Sequence, residues 1–198
     1  MVNLQPEYSN ADELVAALAA GVLDLVDQGV QTPIVLIDGR AGSGKSTLAD
    51  ALQRRLFKDG ETLPRLIHMD DLYPGWGGLA AGAEYLQRFV LSPIAARKTA
   101  NWQLFDWSVG ERGQWREFSG GTPLIVEGCG ALNSQNAELA QFRVWIETPE
   151  DVRHERWLAR EGNDEHWAAW AAQELDFYAR EKSQALAEII GIFGLSAT

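Results

Sequence analysis

The sequence predicts an α/β fold, a parallel sheet with helices on both faces, and three observations predict it. Apolar runs of strand length at 34–38, 123–128 and 141–146 alternate with segments of helical periodicity. The pattern G-x-x-x-x-G-K-[ST] is complete at Gly39-Arg40-Ala41-Gly42-Ser43-Gly44-Lys45-Ser46, between the first of those runs and a helix. The expected strands at 34–38, 65–68 and 123–128 all run into acidic residues: Asp38, the pair Asp70 and Asp71, and Glu127. With 198 residues and a hydrophobic share of 46%, the chain is expected to form one domain, 1–198, around one core.

The elements follow in order. Residues 11–28 read as a helix, with Asn10 as N-cap, an apolar stripe through Leu14, Leu18, Val22 and Leu25, and Gly29 at the end. Pro33 opens the strand 34–38. The helix 46–57 places Leu48, Ala49, Leu52 and Leu56 on one side. A second strand, 65–68, leads into the glycine-rich stretch 69–78, expected as an irregular loop at the carboxyl edge of the sheet. Residues 83–98 read as helical, interrupted by Pro93. Residues 101–118, with three tryptophans around Gly110 and Gly113, read as a twisted hairpin. The strands 123–128 and 141–146 follow. Thr148-Pro149-Glu150 then starts a helix 150–160, a second helix covers 164–188, and 189–195 closes the sheet.

Composition narrows the function. A net charge of −11 argues against a nucleic-acid surface, which needs clustered Lys and Arg. No apolar run approaches the roughly 20 residues of a membrane span, so no membrane partner is expected. The first ten residues lack the pattern of a signal peptide, and the single Cys129 suits a reducing compartment, so a cytoplasmic protein is expected.

The glycine loop carries the clearest chemistry. Its glycines let successive backbone N–H groups face inward, and the helix that follows adds partial positive charge, so a polyphosphate is held with few cationic side chains. Gly39, Arg40, Ala41, Gly42, Ser43, Gly44, Lys45, Ser46 and Thr47 are the expected ATP contacts, with Lys45 on the outer phosphates and the Ser46 hydroxyl on Mg²⁺. Glu127 stands where an acid helps hold Mg²⁺ through water; the other reading is a solvated strand end. Asp70 or Asp71 has the chemistry to orient an attacking hydroxyl and accept its proton, against the reading of a turn cap. Arg153, Arg156 and Arg160 share one helix face by their i, i+3, i+7 spacing. Nearby acids make a salt-bridged surface helix the competing reading.

Taken together and in order, these residues resemble the uridine kinase and phosphoribulokinase branch of the P-loop kinases, over roughly residues 33–161. Asp70-Asp71-Leu72-Tyr73 resembles the Asp-Ser-Phe-Tyr loop of uridine kinases, with Asp70 at the catalytic aspartate. Phe105-Asp106-Trp107 is similar to their Tyr-Asp-Phe hairpin, and Val126-Glu127-Gly128 to Phe-Glu-Gly. Asp151, Arg153, Arg156 and Arg160 match the pattern Asp-x-Arg-x-x-Arg-x-x-x-Arg of their lid. The resemblance implies a P-loop NTPase sandwich of three layers, nucleoside/nucleotide kinase-like, with a lid around 153–165 and an acceptor-side hairpin around 101–118. It implies transfer of the γ-phosphate of ATP, with Mg²⁺, to a hydroxyl of a small molecule. Asp70, Lys45, Arg153 and Arg156 are then the catalytic set, Arg160 a further nucleotide contact, and Ser46, Glu127 and Asp70 the metal side. Asp71, Tyr73, Trp76, Asp106, Trp107 and Arg112 are the expected acceptor contacts.

Two departures matter. Trp157 replaces the second arginine of the family's Arg-Arg pair. The aspartate- and histidine-rich segment that grips the nucleoside is replaced by Gly75-Trp76-Gly77-Gly78-Leu79. Uridine specificity therefore does not carry over. Of the eight tryptophans, Trp76, Trp102, Trp107 and Trp115 fall near the acceptor, where indole faces can stack on a base or sugar; core packing is expected for at least two of them. His68 is expected as a packed histidine and Cys129 as a small buried residue. A GTP-dependent switch is disfavoured, because the sequence has no Asn-Lys-x-Asp motif and no Asp-x-x-Gly after the loop. A nucleotide-binding regulatory or partner protein without catalysis is the alternative reading. A homodimer is compatible with the sequence, which decides neither the acceptor nor the oligomeric state.

Overall fold

The structure, a computed structural model, describes residues 5–60 and 62–194. In chain order it comprises β1 (Glu7–Tyr8), α1 (Ala11–Asp27), β2 (Ile34–Gly39), α2 (Lys45–Lys58), β3 (Arg65–His68), α3 (Leu79–Leu86) and α4 (Ser92–Ala95). It continues through β4 (Ala100–Asp106), β5 (Glu111–Phe118), β6 (Leu124–Glu127), α5 (Ser134–Ala137) and β7 (Phe142–Glu147). It then runs through α6 (Glu150–Glu161), α7 (Trp167–Glu181), α8 (Ser183–Leu186) and β8 (Ile189–Ile192). Six strands form one sheet in the order β1-β8-β7-β2-β6-β3, every pairing parallel. Strands β4 and β5 form a separate antiparallel hairpin.

Alternation along the strands divides the core into two layers. Val35 and Ile37 of β2 face α1 and α2, where they meet Leu14, Leu18, Leu48 and Leu52. Ile34 and Leu36 face the opposite way, toward Leu86 and Leu91 and toward Trp170 and Phe177 of α7. Burying each such side chain stabilises the fold by about 1.5–3 kcal/mol. A strand covered on both faces has to be apolar, and β2 and β6 are until Asp38 and Glu127 at their carboxyl ends.

The termini of the elements follow side-chain chemistry. Asn10 caps α1, its Oδ1 accepting from Asp12 N at 2.8 Å and Glu13 N at 3.2 Å. The expected helix 83–98 begins earlier, at Leu79, widens into a π turn at Gln87–Leu91, and accommodates Pro93 in the first turn of α4. There the missing N–H of proline costs little. The expected helix 164–188 starts at Trp167 and is broken at Lys182, whose left-handed φ of 55° closes α7 through a bond to Tyr178 O and lets the chain return to the sheet. Strand β1 was not expected; two residues carry no readable period. The closing strand ends at Ile192, and Leu195 lies outside the described residues. Among the described residues, no helix is long and apolar enough to cross a membrane.

Candidate active site

Parallel register aligns the carboxyl ends of β2, β3 and β6, pairing Ile37 with Glu127 and Glu127 with His68. A cavity of about 790 Å³ opens beyond that edge, where ligands of open α/β sheets lie. Ala41, Gly42 and Gly44 to Thr47 form its floor, whereas Gly39, Arg40 and Ser43 of the same loop do not line it. A Cβ on Gly39 would strike the carbonyl oxygen of Ile146, and one on Gly42 would strike the Arg153 backbone, while Gly42 and Gly44 hold left-handed φ of 78° and 98°. The loop is thus glycine by necessity. Helix α2 begins at Lys45 with no side-chain cap among the described residues, leaving its first N–H groups directed at the cavity floor. Lys45 is buried, its Nζ donating to Arg40 O at 3.0 Å and lying 3.6 Å from Cys129 Sγ.

Around the floor stand Asp70 and Asp71, Glu127, and Arg156 and Arg160 of α6. Asp70 and Asp71 occupy a 3₁₀ turn at Met69–Asp71 rather than an irregular loop, and both reach the cavity. The Asp70 carboxyl opens onto the cavity yet sits deep between its walls. Burial, then the charge of Glu127, holds it above the usual carboxylate range, against the pull of Arg160, Lys45 and His68. Trp107 at the hairpin tip donates from Nε1 to Asp70 O at 2.9 Å, fixing that turn. Glu127 is buried and His68 Nδ1 lies 2.6 Å from its Oε1; this hydrogen bond raises the His68 pKa, overcoming partial burial. His68 is therefore a partner of Glu127 and not only a packed ring.

Other expected site residues lie elsewhere. Arg153 does not line the cavity. It is 3% exposed, behind the loop, donating to Thr148 O at 3.1 Å and Ala41 O at 3.3 Å. The three arginines diverge because α6 packs its first turns against the loop, which buries Arg153 and leaves Arg156 (3.2 Å to Gly42 O) and Arg160 at the cavity. Asp106 turns to the hairpin tip, its Oδ1 accepting from Ser108 N at 2.9 Å and Ser108 Oγ at 2.6 Å. Arg112 stacks 3.4 Å over the Tyr85 ring and donates to Gln103 O and Leu72 O, joining the hairpin to the turn after β3. Tyr73 lines the cavity with its ring only, because its buried hydroxyl donates to Cys129 O at 2.7 Å. Of the four tryptophans near the acceptor, only Trp102 enters the core; Trp76 is half-buried, and Trp107 and Trp115 are exposed.

Helix α7 supplies residues that the motifs did not announce. Buried Glu174 accepts from Ala41 N at 2.6 Å, from Arg40 Nε at 3.1 Å and from Cys129 Sγ at 3.2 Å. Tyr178 donates to Asp38 Oδ1 at 2.7 Å. Asp38 also accepts from Gly39 N, Gly130 N and Leu132 N, tying β2 to the segment after β6.

The donor set fits a nucleotide with hydrated Mg²⁺. The bare N–H groups at the start of α2 suit phosphate oxygens. Ser46, Glu127 and Asp70 are hard oxygen donors on one side of the cavity, and Mg²⁺ is commonly held by one or two carboxylates plus phosphates and water. Among the described residues, no cluster of three His, Cys, Asp or Glu forms a self-sufficient metal cage.

No protein-family model matches the chain, and no curated protein matches it in sequence. Solved structures match it in fold. A possible uridine kinase from Bacillus stearothermophilus superposes with a TM-score of 0.67 at 18% identity, over 91% of this chain and 98% of the other. A candidate fructose transport system kinase from Silicibacter sp. TM1040 gives 0.65 at 23% identity, over 89% and 98%. YFH7 from Saccharomyces cerevisiae, a candidate P-loop containing kinase with a circular permutation, gives 0.59 at 12% identity, over 92% and 99%. Likeness at these identities establishes architecture. The chain has the α/β fold of the P-loop kinases and resembles the uridine kinase-like proteins among them.

Proposed function

We propose that this protein is an ATP-dependent phosphotransferase that moves the γ-phosphate onto a hydroxyl of a small molecule. One observation carries the reading: a single cavity joins the glycine loop, Asp70, Glu127, Arg156 and Arg160. In this reading the loop amides and Lys45 hold the phosphates, and Asp70 orients the acceptor hydroxyl. As the new O–P bond forms and the bond to the departing ADP oxygen breaks, Asp70 takes the hydroxyl proton. A carboxyl held above its ordinary range is the better base for that step. Arg156 and Arg160 lie where they can neutralise charge on the transferring group. Ser46, Glu127 and Asp70 would hold Mg²⁺, which would supply charge neutralisation for the phosphates. Arg153 acts through the loop it supports.

The test is ADP release measured with MgATP over a panel of alcohols, beside ATP binding to the Lys45→Ala, Ser46→Ala double variant. Transfer to at least one alcohol, and lost binding in the variant, are expected. Wild-type ATP affinity in the folded double variant rejects the assignment.

A further inference from the structure

Four indoles, those of Trp76, Trp107, Trp157 and Trp170, line the cavity. Trp76 is the hub: its ring centroid lies 5.0 Å from Trp107, 5.8 Å from Trp157 and 6.2 Å from Trp170. His166 stacks on it at 4.2 Å and 24°. Four separate elements deliver these rings: the stretch after β3, the hairpin, α6 and α7. The hub is fixed from behind by Gln173 Nε2, which donates to Trp76 O at 2.7 Å.

Three of the polar handles around the wall are engaged within the protein. Trp107 Nε1 donates to Asp70 O, Trp157 Nε1 to Asn163 O at 3.2 Å, and Tyr73 OH to Cys129 O. Among the described residues, no Asn, Gln or His lines the cavity. Those side chains pair a donor with an acceptor in fixed directions, as the amide edge of a base requires. The carboxylates have cationic neighbours. Glu127 pairs with His68 at 2.6 Å, Glu161 with Arg160 at 2.7 Å, and Asp71, without an ion pair, feels the charges of the same His68 and of Arg116. Little negative charge is left over for an ammonium group. Beside Asp70 and Asp71, the ring surface open to the acceptor is that of half-buried Trp76 and exposed Trp107.

We infer that the phosphate acceptor is an alcohol carried on an uncharged aromatic body, without the polyhydroxyl edge of a sugar. The inference deepens the phosphotransferase reading of the same cavity and rests on it for the transfer step. In that step the aryl alcohol's hydroxyl oxygen bonds to the γ-phosphorus, ADP leaves, and the hydroxyl proton passes to Asp70. Ring faces and excluded water select the body. A polar body pays for hydrogen bonds to water that the wall does not replace.

The experiment separates binding from transfer. Binding of 2-phenylethanol, tryptophol, ribose, uridine and choline is measured by calorimetry and tryptophan fluorescence without nucleotide, and ADP release is followed with MgATP. Aryl alcohols are expected to bind at least about tenfold more tightly than the other three, the discrimination a pocket of this kind supplies. Trp107→Ala is expected to weaken them about tenfold, and Trp107→Phe, which keeps a ring but not the N–H, less than about threefold. Circular dichroism and MgADP binding confirm that both variants are folded. Tighter binding of ribose, uridine or choline, or indifference of the aryl alcohols to Trp107→Ala, overturns the inference. Release of ADP with uridine or ribose, without aryl-alcohol binding, overturns it and leaves the phosphotransferase reading standing. Aryl-alcohol binding without ADP release from any alcohol supports the pocket assignment and removes the transfer reading instead.

Discussion

Glu174 of α7 accepts a hydrogen bond from the Ala41 amide at 2.6 Å, so a buried carboxylate from the far end of the chain fixes the glycine loop. The same carboxylate holds Arg40 Nε at 3.1 Å. Helix α7 is thereby fastened to the loop by charge as well as by packing. Glu174→Ala removes both acceptors and leaves an amide and a guanidinium in a poorly solvated place. It should lower unfolding free energy in urea by about 2–4 kcal/mol. Glu174→Gln keeps one oxygen for Ala41 and should cost less, about 1–2 kcal/mol. Equal stability of the alanine variant and the wild type would show that the contact contributes nothing net.

Arg153 and Arg156 should separate by phenotype although they stand three residues apart on one helix. Arg153 is buried and bonded to two carbonyl oxygens, so Arg153→Ala should cost about 2–4 kcal/mol of stability. Arg156 is exposed to the cavity. Its alanine variant should unfold within about 0.5 kcal/mol of wild type, while turnover falls on the order of a thousandfold, as for arginines that meet a transferring phosphoryl group. Denaturant midpoints and kcat at saturating ATP read the two apart. A stable Arg153→Ala protein with collapsed turnover would restore the catalytic role that the resemblance implies.

Much of this arrangement was legible in the sequence, for identifiable reasons. The glycine loop declares itself because its steric demands admit few residue types, as the closeness of Gly39 to Ile146 O and Gly42 to Arg153 shows. Strands β2 and β6 declare themselves because burial on both faces leaves no polar position until their carboxyl ends. The division of labour among the arginines was hidden, since helical spacing gives a face but not what the face meets. Glu174 was legible only in retrospect. Trp170, Glu174 and Phe177 are the buried residues of α7, at i, i+4 and i+7, so a charged residue interrupts an apolar stripe. Such a residue must be bonded to something buried, but its partner lies far off in the chain. Asp106 and Arg112 were misplaced for a related reason: a hairpin tip has its own bonds to satisfy before it can serve a ligand.

Asp38 gives a pH prediction. Burial pushes its carboxyl from the ordinary 3.8 to about 6, although the Leu132 amide, the Tyr178 hydroxyl, the Gly39 amide and the Lys45 charge pull the other way. The folded protein thus binds this proton more tightly than the unfolded chain does. The stability this group contributes is highest below pH 3.8 and falls as pH rises to about 6, by about 3 kcal/mol. The carboxyl ¹³C shift of Asp38 should titrate with a midpoint near 6. A midpoint at or below 4 would mean that its four donors outweigh its burial.

The final prediction concerns Asp70 and Asp71. In an extended segment, successive side chains point oppositely and only one carboxylate could face the phosphates. The 3₁₀ turn at 69–71 sets successive side chains roughly 120° apart instead, which is why both line the cavity. Their neighbours distinguish them. Both feel His68, but Asp70 also feels Arg160 and Lys45, whereas Asp71 feels Arg116 of the hairpin. In the proposed phosphotransferase reading, Asp70 is the carboxylate that meets the acceptor hydroxyl. Asp70→Asn keeps the shape, and with it the Trp107 bond to the backbone carbonyl, but removes the base. Turnover should fall about 10²–10⁴-fold while MgATP affinity changes only a few-fold. Asp71→Asn should stay within about tenfold of wild type in turnover. Loss of turnover in Asp71→Asn with Asp70→Asn near normal would reverse the assignment, since both variants preserve the turn and differ only in which carboxylate is lost.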